Sequence, residues 1–420
     1  MVSIFGADPA RQVVLSCRTE GRRTSSIMPL RCLIWALCCR HLVAALGSGQ
    51  QPRAVPEFEV DLDLAPEERF VEVVQHFNSS IQAFYDHFLH NILGRPVKRI
   101  LADVAAKRGE EHTELQREIE GVAKLTNIET SLLQVMQVLY ELNTLMVPIV
   151  NFSRPWHGPA CTGILAVNKE DGMVYHARNL DFSPAEYMQS LVYTGIFMRD
   201  GKELFRAQML AAYSLPVTGM KKGPNGFSVE TNTRYTDHFG GDKELLRNLF
   251  HERRPLNGWV TRKVLETAVD YEAAVHALST TPYVTTQYHV VGGVRKGTIL
   301  ARNPDGLAYA MTLGQANYQC REDYVIITNF DFVYNDKREW FDPTGGKGIG
   351  HPRRIAAQKL LNSTSVLTPD VLYNTISDFE VQAKDTIFQA MMNVEIGLWN
   401  VSLPACTKCG GSEFATTLIV

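Results

Sequence analysis

Cys161-Thr-Gly-Ile-Leu-Ala-Val-Asn-Lys-Glu-Asp-Gly-Met-Val-Tyr-His-Ala-Arg-Asn-Leu-Asp181 is the stretch on which the reading of this 420-residue chain turns. Two short β-prone runs, 163–167 and 173–178, flank the turn dipeptide Asp171-Gly172 and predict a hairpin. Ahead of it lies the clearest linker in the chain, 147–160, with Pro148, Pro155, Gly158 and Pro159. A cysteine that opens a strand straight after such a linker is unusual for a structural residue, because free cysteine prefers a packed interior. Its chemistry becomes clear if the chain is cut between Ala160 and Cys161. The new α-amine then sits on the same residue as the thiol and can act as its base, since such amines titrate near neutrality. The hairpin returns to Arg178, whose guanidinium would favour thiolate, and to Asp181, whose carboxylate would hold the amine. An ordinary Arg/Asp surface pair on a hairpin is the competing reading.

Working outward, Asp200-Gly201 and Asp305-Gly306 predict hairpins of 191–198 with 203–210 and of 297–302 with 307–313. Helical patterns are expected at 261–278, 352–361 and 369–382, and strands at 386–394 and 397–403. Before the linker, apolar residues recur every three or four positions from Phe70 to Ile92, again over 114–125, and from Leu132 to Met146. Antiparallel ribbons with helices packed outside predict an α+β layered body, preceded by a mainly helical segment. Those apolar stripes are core, or else they partly touch lipid through residues such as Met136 and Leu139.

Composition narrows the field. With 45% apolar residues, 21% charged and a net charge of −3, the chain is neither disordered nor a strongly basic nucleic-acid binder. Half of its 8 cysteines fall within the first 40 residues, which argues against a disulfide framework. The stretch 28–49 has a basic start at Arg31, an apolar run and small residues before Gln50, the layout of a secretory signal peptide. Arg40 and His41 interrupt the apolar run, which is far short of the roughly 18 to 20 residues a spanning helix needs. A true start at Met28, with 1–27 as an upstream extension, stands beside a start at Met1. Acceptor sequons at Asn78, Asn151, Asn362 and Asn400 fit secretory entry.

From Cys161 to Phe182 the sequence resembles the family of acid ceramidase and N-acylethanolamine-hydrolysing acid amidase, which are N-terminal-nucleophile cysteine hydrolases. The resemblance extends to Phe58-Glu-Val-Asp-Leu-Asp-Leu-Ala-Pro-Glu, Tyr140-Glu141-Leu142, Val290-Val-Gly-Gly293, Ile327-Thr-Asn329-Phe-Asp and Arg353-Arg354-Ile-Ala-Ala, so it runs from about residue 55 to 405. It implies a four-layer αββα body and a zymogen cut before Cys161. The expected parts are an extension and signal peptide over 1–49, a helical α-subunit over 50–160 and a catalytic β-subunit over 161–420. In the family pattern Cys161 is the nucleophile, Arg178 and Asp181 orient it, Asn329 is a donor to the oxyanion, and Arg353 supports them from behind. The implied substrates are N-acylethanolamines, ceramides or related lipid amides, and the implied compartment is the lysosome or the exterior. The expected partners are that substrate, the two halves of one precursor, and peripheral membrane or vesicle contact; no cofactor, metal or nucleic acid is implied.

Three departures qualify this. Thr233 stands where the family has a Glu before Arg234, with Glu230 or Asn232 as candidates to compensate. The segment 143–160 is an insertion, and no cysteine between the signal segment and Cys161 could form a disulfide between the two subunits. Cys406-Thr-Lys-Cys409 lacks a second ligand pair for zinc and reads as a small disulfide. Gly345-Gly-Lys-Gly-Ile-Gly350 lacks the Ser or Thr of a phosphate loop, and His289 and His351 read as structural. Two alternatives stay open: an amidase of the bile-salt or penicillin type for soluble amides, and an uncleaved, non-catalytic lipid-binding protein.

Overall fold

The computed structural model describes residues 53–87, 113–142, 160–182, 184–236, 241–315, 320–331 and 351–404. The signal segment, Asn151, the glycine-rich 345–350 loop, and Cys406 with Cys409 lie outside the described residues.

In chain order the strands are β1 (Arg53–Ala54), β2 (Glu57–Asp61), β3 (Ala160–Val167), β4 (Val174–Asp181), β5 (Val192–Arg199), β6 (Lys202–Leu210), β7 (Thr218–Lys221), β8 (Phe227–Thr233), β9 (Gln287–Gly293), β10 (Lys296–Asn303), β11 (Gly306–Thr312), β12 (Tyr324–Ile327), β13 (Thr386–Asn393) and β14 (Leu398–Leu403). The helices are α1 (Val71–His87), α2 (Thr113–Thr126), α3 (Thr130–Leu142), α4 (Ala185–Met188), α5 (Gly241–Phe250), α6 (Asn257–Thr267), α7 (Tyr271–Thr280), α8 (His351–Asn362) and α9 (Pro369–Ser377). One six-stranded sheet runs β1-β14-β13-β4-β3-β12, and one eight-stranded sheet runs β11-β10-β9-β8-β7-β6-β5-β2.

The chain is α+β, and its layers follow from which strand faces are apolar. Leu165 and Val174 of the six-stranded sheet meet Tyr288 and Val290 of the other, which closes the two sheets face to face. Ile164, Ala166, Tyr175 and Ala177 point the opposite way and pack on Ala357, Leu361, Leu372 and Ile376 of α8 and α9. The outer face of the eight-stranded sheet, with Phe205, Val229 and Val291, is covered by apolar residues of α1 to α3, α6 and α7. The order is αββα. Strand β4 is buried at every position because both of its faces are covered.

The expected hairpins form at all three Asp-Gly turns. Other expectations need correction. The single helix expected over 261–278 is two, α6 and α7, because Asp270 accepts from the Ala273 N–H and caps a new start. Strand β2 joins β5 in parallel, an exception to the antiparallel ribbons. The segment before Cys161, though mainly helical, also supplies an edge strand to each sheet, β1 against β14 and β2 against β5. Met136 and Leu139 are buried in the core, so they do not present an apolar face to lipid. No helix among the described residues is long and apolar enough to cross a membrane.

One close approach fixes how α2 sits. A Cβ at Gly121 would lie 2.1 Å from the carbonyl oxygen of Glu67, in the short 3-10 turn Pro66–Glu68. Gly121→Ala is therefore expected to destabilise the protein by about 1–3 kcal/mol, read as a lower midpoint in urea. An unchanged midpoint would mean that the turn moves aside freely.

Candidate active site

Cys161 is the second residue of β3, and antiparallel pairing with β4 sets Cys161 opposite Leu180 and Gly163 opposite Arg178. The alternation of β-strands sends Cys161 and Gly163 into the space between the sheets, and Thr162 the other way. The same rule sends His176 and Arg178 inward and Asp181 outward. Arg178 and Asp181 therefore approach the cysteine from opposite faces of one sheet.

The inner side is the thiol side. The Arg178 guanidinium is fully buried, with Nη2 3.8 Å from Cys161 Sγ and 3.1 Å from the Thr231 carbonyl oxygen, to which it donates. Its Nη1 donates to the Val217 carbonyl and the Thr218 hydroxyl. Cys161 is itself fully buried, and that burial pushes its thiol up to about 11 even though Arg178 works to lower it. The Tyr140 hydroxyl donates to the Thr231 carbonyl at 3.0 Å from the far side of β8. Next to it, Glu141 Oε1 accepts the Asn257 N–H at 2.7 Å at the start of α6.

The outer side is an ionic clasp. Arg353, at the start of α8, donates to Asp181 Oδ2 at 2.5 Å, to Asn329 Oδ1 at 3.0 Å and to the Cys161 carbonyl oxygen at 3.3 Å. Thr386 donates to the other Asp181 oxygen at 2.6 Å. Burial raises the Asp181 carboxyl to about 6, against the pull of Arg353 and the Thr386 hydrogen bond. Asn329 follows β12, and its Oδ1 accepts the Cys161 backbone N–H at 2.8 Å while its Nδ2 donates to the Thr233 carbonyl at 2.9 Å.

All five expected residues, Cys161, Arg178, Asp181, Asn329 and Arg353, thus lie in one connected cluster. Two contacts differ from the expectation. The nitrogen of Cys161 is met by Asn329, while Asp181 is engaged by Arg353 and Thr386, because Asp181 sits opposite Ala160 on the outer face. Asn329 spends one amide N–H on Thr233, whose contribution is its backbone carbonyl.

His176, Ser228 and Glu230 complete the inner side. His176 lies 2.8 Å from Glu230 Oε2 through Nε2 and 2.9 Å from Ser228 Oγ through Nδ1, all buried between the sheets. His289 is 2.8 Å from the Gln287 side-chain amide and 3.3 Å from the Thr231 hydroxyl, and burial lowers its imidazole to about 3, so it stays neutral and structural. Among the described residues no group of three or more His, Cys, Asp or Glu side chains could hold a metal ion.

Comparison with known proteins bears on this arrangement. Acid ceramidase of Heterocephalus glaber is 25% identical over 397 residues, 89% of this chain and 92% of that protein. N-acylethanolamine-hydrolyzing acid amidase of Caenorhabditis elegans is 26% identical over 356 residues, 83% of this chain and 91% of that protein. A family model described as the beta subunit of N-acylethanolamine-hydrolyzing acid amidase matches residues 53–110. Over most of its length the chain is thus similar to acid ceramidase and to N-acylethanolamine-hydrolyzing acid amidase. The family model falls ahead of Cys161, in the segment expected to be the α-subunit, so the subunit letters do not coincide. A solved structure of a Caenorhabditis elegans N-acylethanolamine-hydrolyzing acid amidase ortholog is similar over 55% of this chain and 92% of that one, at 28% identity and a TM-score of 0.45.

Proposed function

We propose that this protein is a self-processing cysteine amidohydrolase of lipid amides, cut between Ala160 and Cys161 into a leading piece of about 50–160 and a trailing piece of 161–420. The observation that carries the reading is the way Cys161 is met at each of its polar atoms. Its nitrogen is held by Asn329, its carbonyl oxygen by Arg353, and its sulfur faces Arg178.

In the cut protein the α-amine of Cys161 takes the thiol proton. The cationic side chains of Arg178 and Arg353 disfavour a further cation beside them, which keeps that amine neutral and basic. Sulfur then bonds to the amide carbonyl carbon, and the oxyanion is met by the second N–H of the Asn329 amide. When the C–N bond breaks, the amine carries the proton to the leaving group. Water finally cleaves the acyl-thioester, releasing fatty acid and restoring the thiol. The relatives' names point to N-acylethanolamines and ceramides as substrates. Secretory passage, to the lysosome or the exterior, is supported by exposed asparagines at the sequons Asn78, Asn362 and Asn400.

The first cut has its own pH logic. Asp181 titrates near 6 in the uncut chain, and its ionised form works against the Cys161 thiolate. Protonation below that value removes the opposing charge, so processing is expected to be faster in acid. The test is to express the chain through a secretory pathway, hold it at about pH 4.5 and at neutral pH, and read the amino terminus of the large fragment by mass spectrometry. A fragment beginning at Cys161, formed faster in acid and able to hydrolyse an N-acylethanolamine, is the expected result. An intact chain at both values would remove this function.

A further inference from the structure

We propose that Glu230 is a positioning residue of the thiol site: it anchors the Arg178 guanidinium from its Nε side, with His176 holding the carboxylate in place, and so sets how much of the arginine's charge the Cys161 sulfur receives. This assignment rests on the reading of Cys161 as nucleophile.

The geometry is built for a carboxylate at this point. Glu230 is fully buried on β8, and its Oε1 lies 3.8 Å from Arg178 Nε. Among the described residues it is the one carboxylate within ion-pair reach of Arg178. Its other oxygen lies 2.8 Å from His176 Nε2, and His176 is fixed in turn by Ser228. Across the sheet interface, a Cβ at Gly163 would sit 2.7 and 2.8 Å from the two carboxylate oxygens. The glycine two residues after the nucleophile therefore leaves room for this side chain. A buried guanidinium and a buried carboxylate are each costly unless paired, so each fixes the other.

Glu230 also opposes the thiolate directly, since like charges in a dry site repel. Arg178 is thus shared between two anions, the Glu230 carboxylate and the Cys161 sulfur. The other titratable groups that act on this sulfur are Asp181 from the outer face and the phenols of Tyr140 and Tyr235, while Arg353 donates to the carbonyl oxygen of the same residue. Glu230 faces His176 and Arg178 from β4 and Gly163 from β3. Its register neighbours, Thr218 on β7 and Val290 on β9, carry no charge. A carboxylate at 230 is thereby placed to do part of what the family's Glu would do at 233, from the opposite face of the same strand.

The test uses the cut protein, and follows alkylation of Cys161 by iodoacetamide against pH together with turnover of a long-chain N-acylethanolamine. Glu230→Gln keeps the shape and removes the charge. Its alkylation midpoint is expected to fall by about one pH unit, and kcat roughly tenfold with KM nearly unchanged, because the guanidinium loses its anchor. Glu230→Asp keeps the charge and should return the midpoint to the wild-type value. A Glu230→Gln protein that melts lower but keeps the wild-type midpoint and kcat would reduce Glu230 to a packing role and overturn the assignment. If that variant does not accumulate, Gly163→Ala pushes the carboxylate away from β3 without removing it. The same downward shift of the midpoint is then expected, and an unchanged profile overturns the assignment. A wild-type thiol that is never alkylated overturns the nucleophile reading and this one with it, whereas a normal wild-type profile that Glu230→Gln leaves in place overturns this one alone.

Discussion

A chain carrying Cys161→Ala is expected to stay at full length in acid and at neutral pH, and to release no fatty acid from an N-acylethanolamine under conditions where the wild type is cut and active. Both losses trace to one sulfur. On the proposed reading the nucleophile is the thiol at the start of β3, with Arg178 3.8 Å from it and Arg353 on the carbonyl beside it. Thr162, next along, points to the outer face, where it accepts from Arg353 at 3.4 Å, and cannot substitute. In the proposed cut chain the same residue would supply nucleophile and base, so alanine would keep the amine but remove the atom that bonds to substrate. Turnover should fall by roughly a thousandfold or more, leaving only what binding and the oxyanion donors provide. Cys161→Ser separates the two roles, since a hydroxyl is a far weaker acid than a thiol. It is expected to cut slowly and to turn over poorly. Full-length mass by mass spectrometry and fatty-acid release measure the pair. A fragment starting at residue 161 in the alanine variant would show that another protease makes the cut and would sink self-processing.

What could be read in advance follows the range over which the physics acts. The three hairpins were legible because an Asp-Gly turn and period-two patterning are local, and the first of them already brought Arg178 and Asp181 into the neighbourhood of Cys161. The layered α+β body followed from the same ribbons. Spacing could not say that Arg178 and Asp181 serve opposite faces, since that depends on register to a single residue. Asn329 and Arg353 arrive from 168 and 192 positions away. Only the resemblance pointed to them. The break between α6 and α7 turned on one capping carboxylate, Asp270, inside an apolar pattern that continues across it. Glu230 was legible only as one of two candidates, with Asn232, to compensate for Thr233 in the run Phe227-Ser-Val-Glu-Thr-Asn-Thr. Its partner His176 lies 54 positions earlier, in a strand that pairs with a different sheet.

The strongest stability effect is expected at Glu118. Residues 50–160 offer no cysteine to tie the two proposed pieces together, and an ionic clamp would join them across the proposed cut. Glu118, on α2 of the leading piece, accepts two hydrogen bonds from Arg262 of α6 in the trailing piece, at 2.5 and 2.6 Å. Arg69 donates to the same carboxylate at 3.0 Å, and Glu266 accepts from Arg262 Nε at 2.9 Å. Arg262 is fully buried, and its guanidinium also lies over the rings of Phe197 and Trp259. Glu118→Ala would leave that cation partly unpaired in the interior, a change that typically costs about 3–5 kcal/mol. In the uncut chain the linker keeps the pieces at high local concentration and hides part of this loss. Once the chain is cut they can separate. The urea midpoint of the cut Glu118→Ala protein should therefore fall further than that of the uncut one, with the leading piece eluting alone on size exclusion. Equal shifts in both forms would mean that Glu118 stabilises the fold without joining the pieces. Acid alone should not open the clamp early. At its edge, burial works to raise Glu114, but hydrogen bonds from Lys263 and Arg69 bring it down to about 2. A carboxyl depressed in the folded state contributes stability above its unfolded value and loses it as pH falls through the folded one. Between about pH 4.5 and 2 that contribution fades, so in wild type the pieces should remain joined throughout the mildly acidic range in which the cut is expected to be fastest.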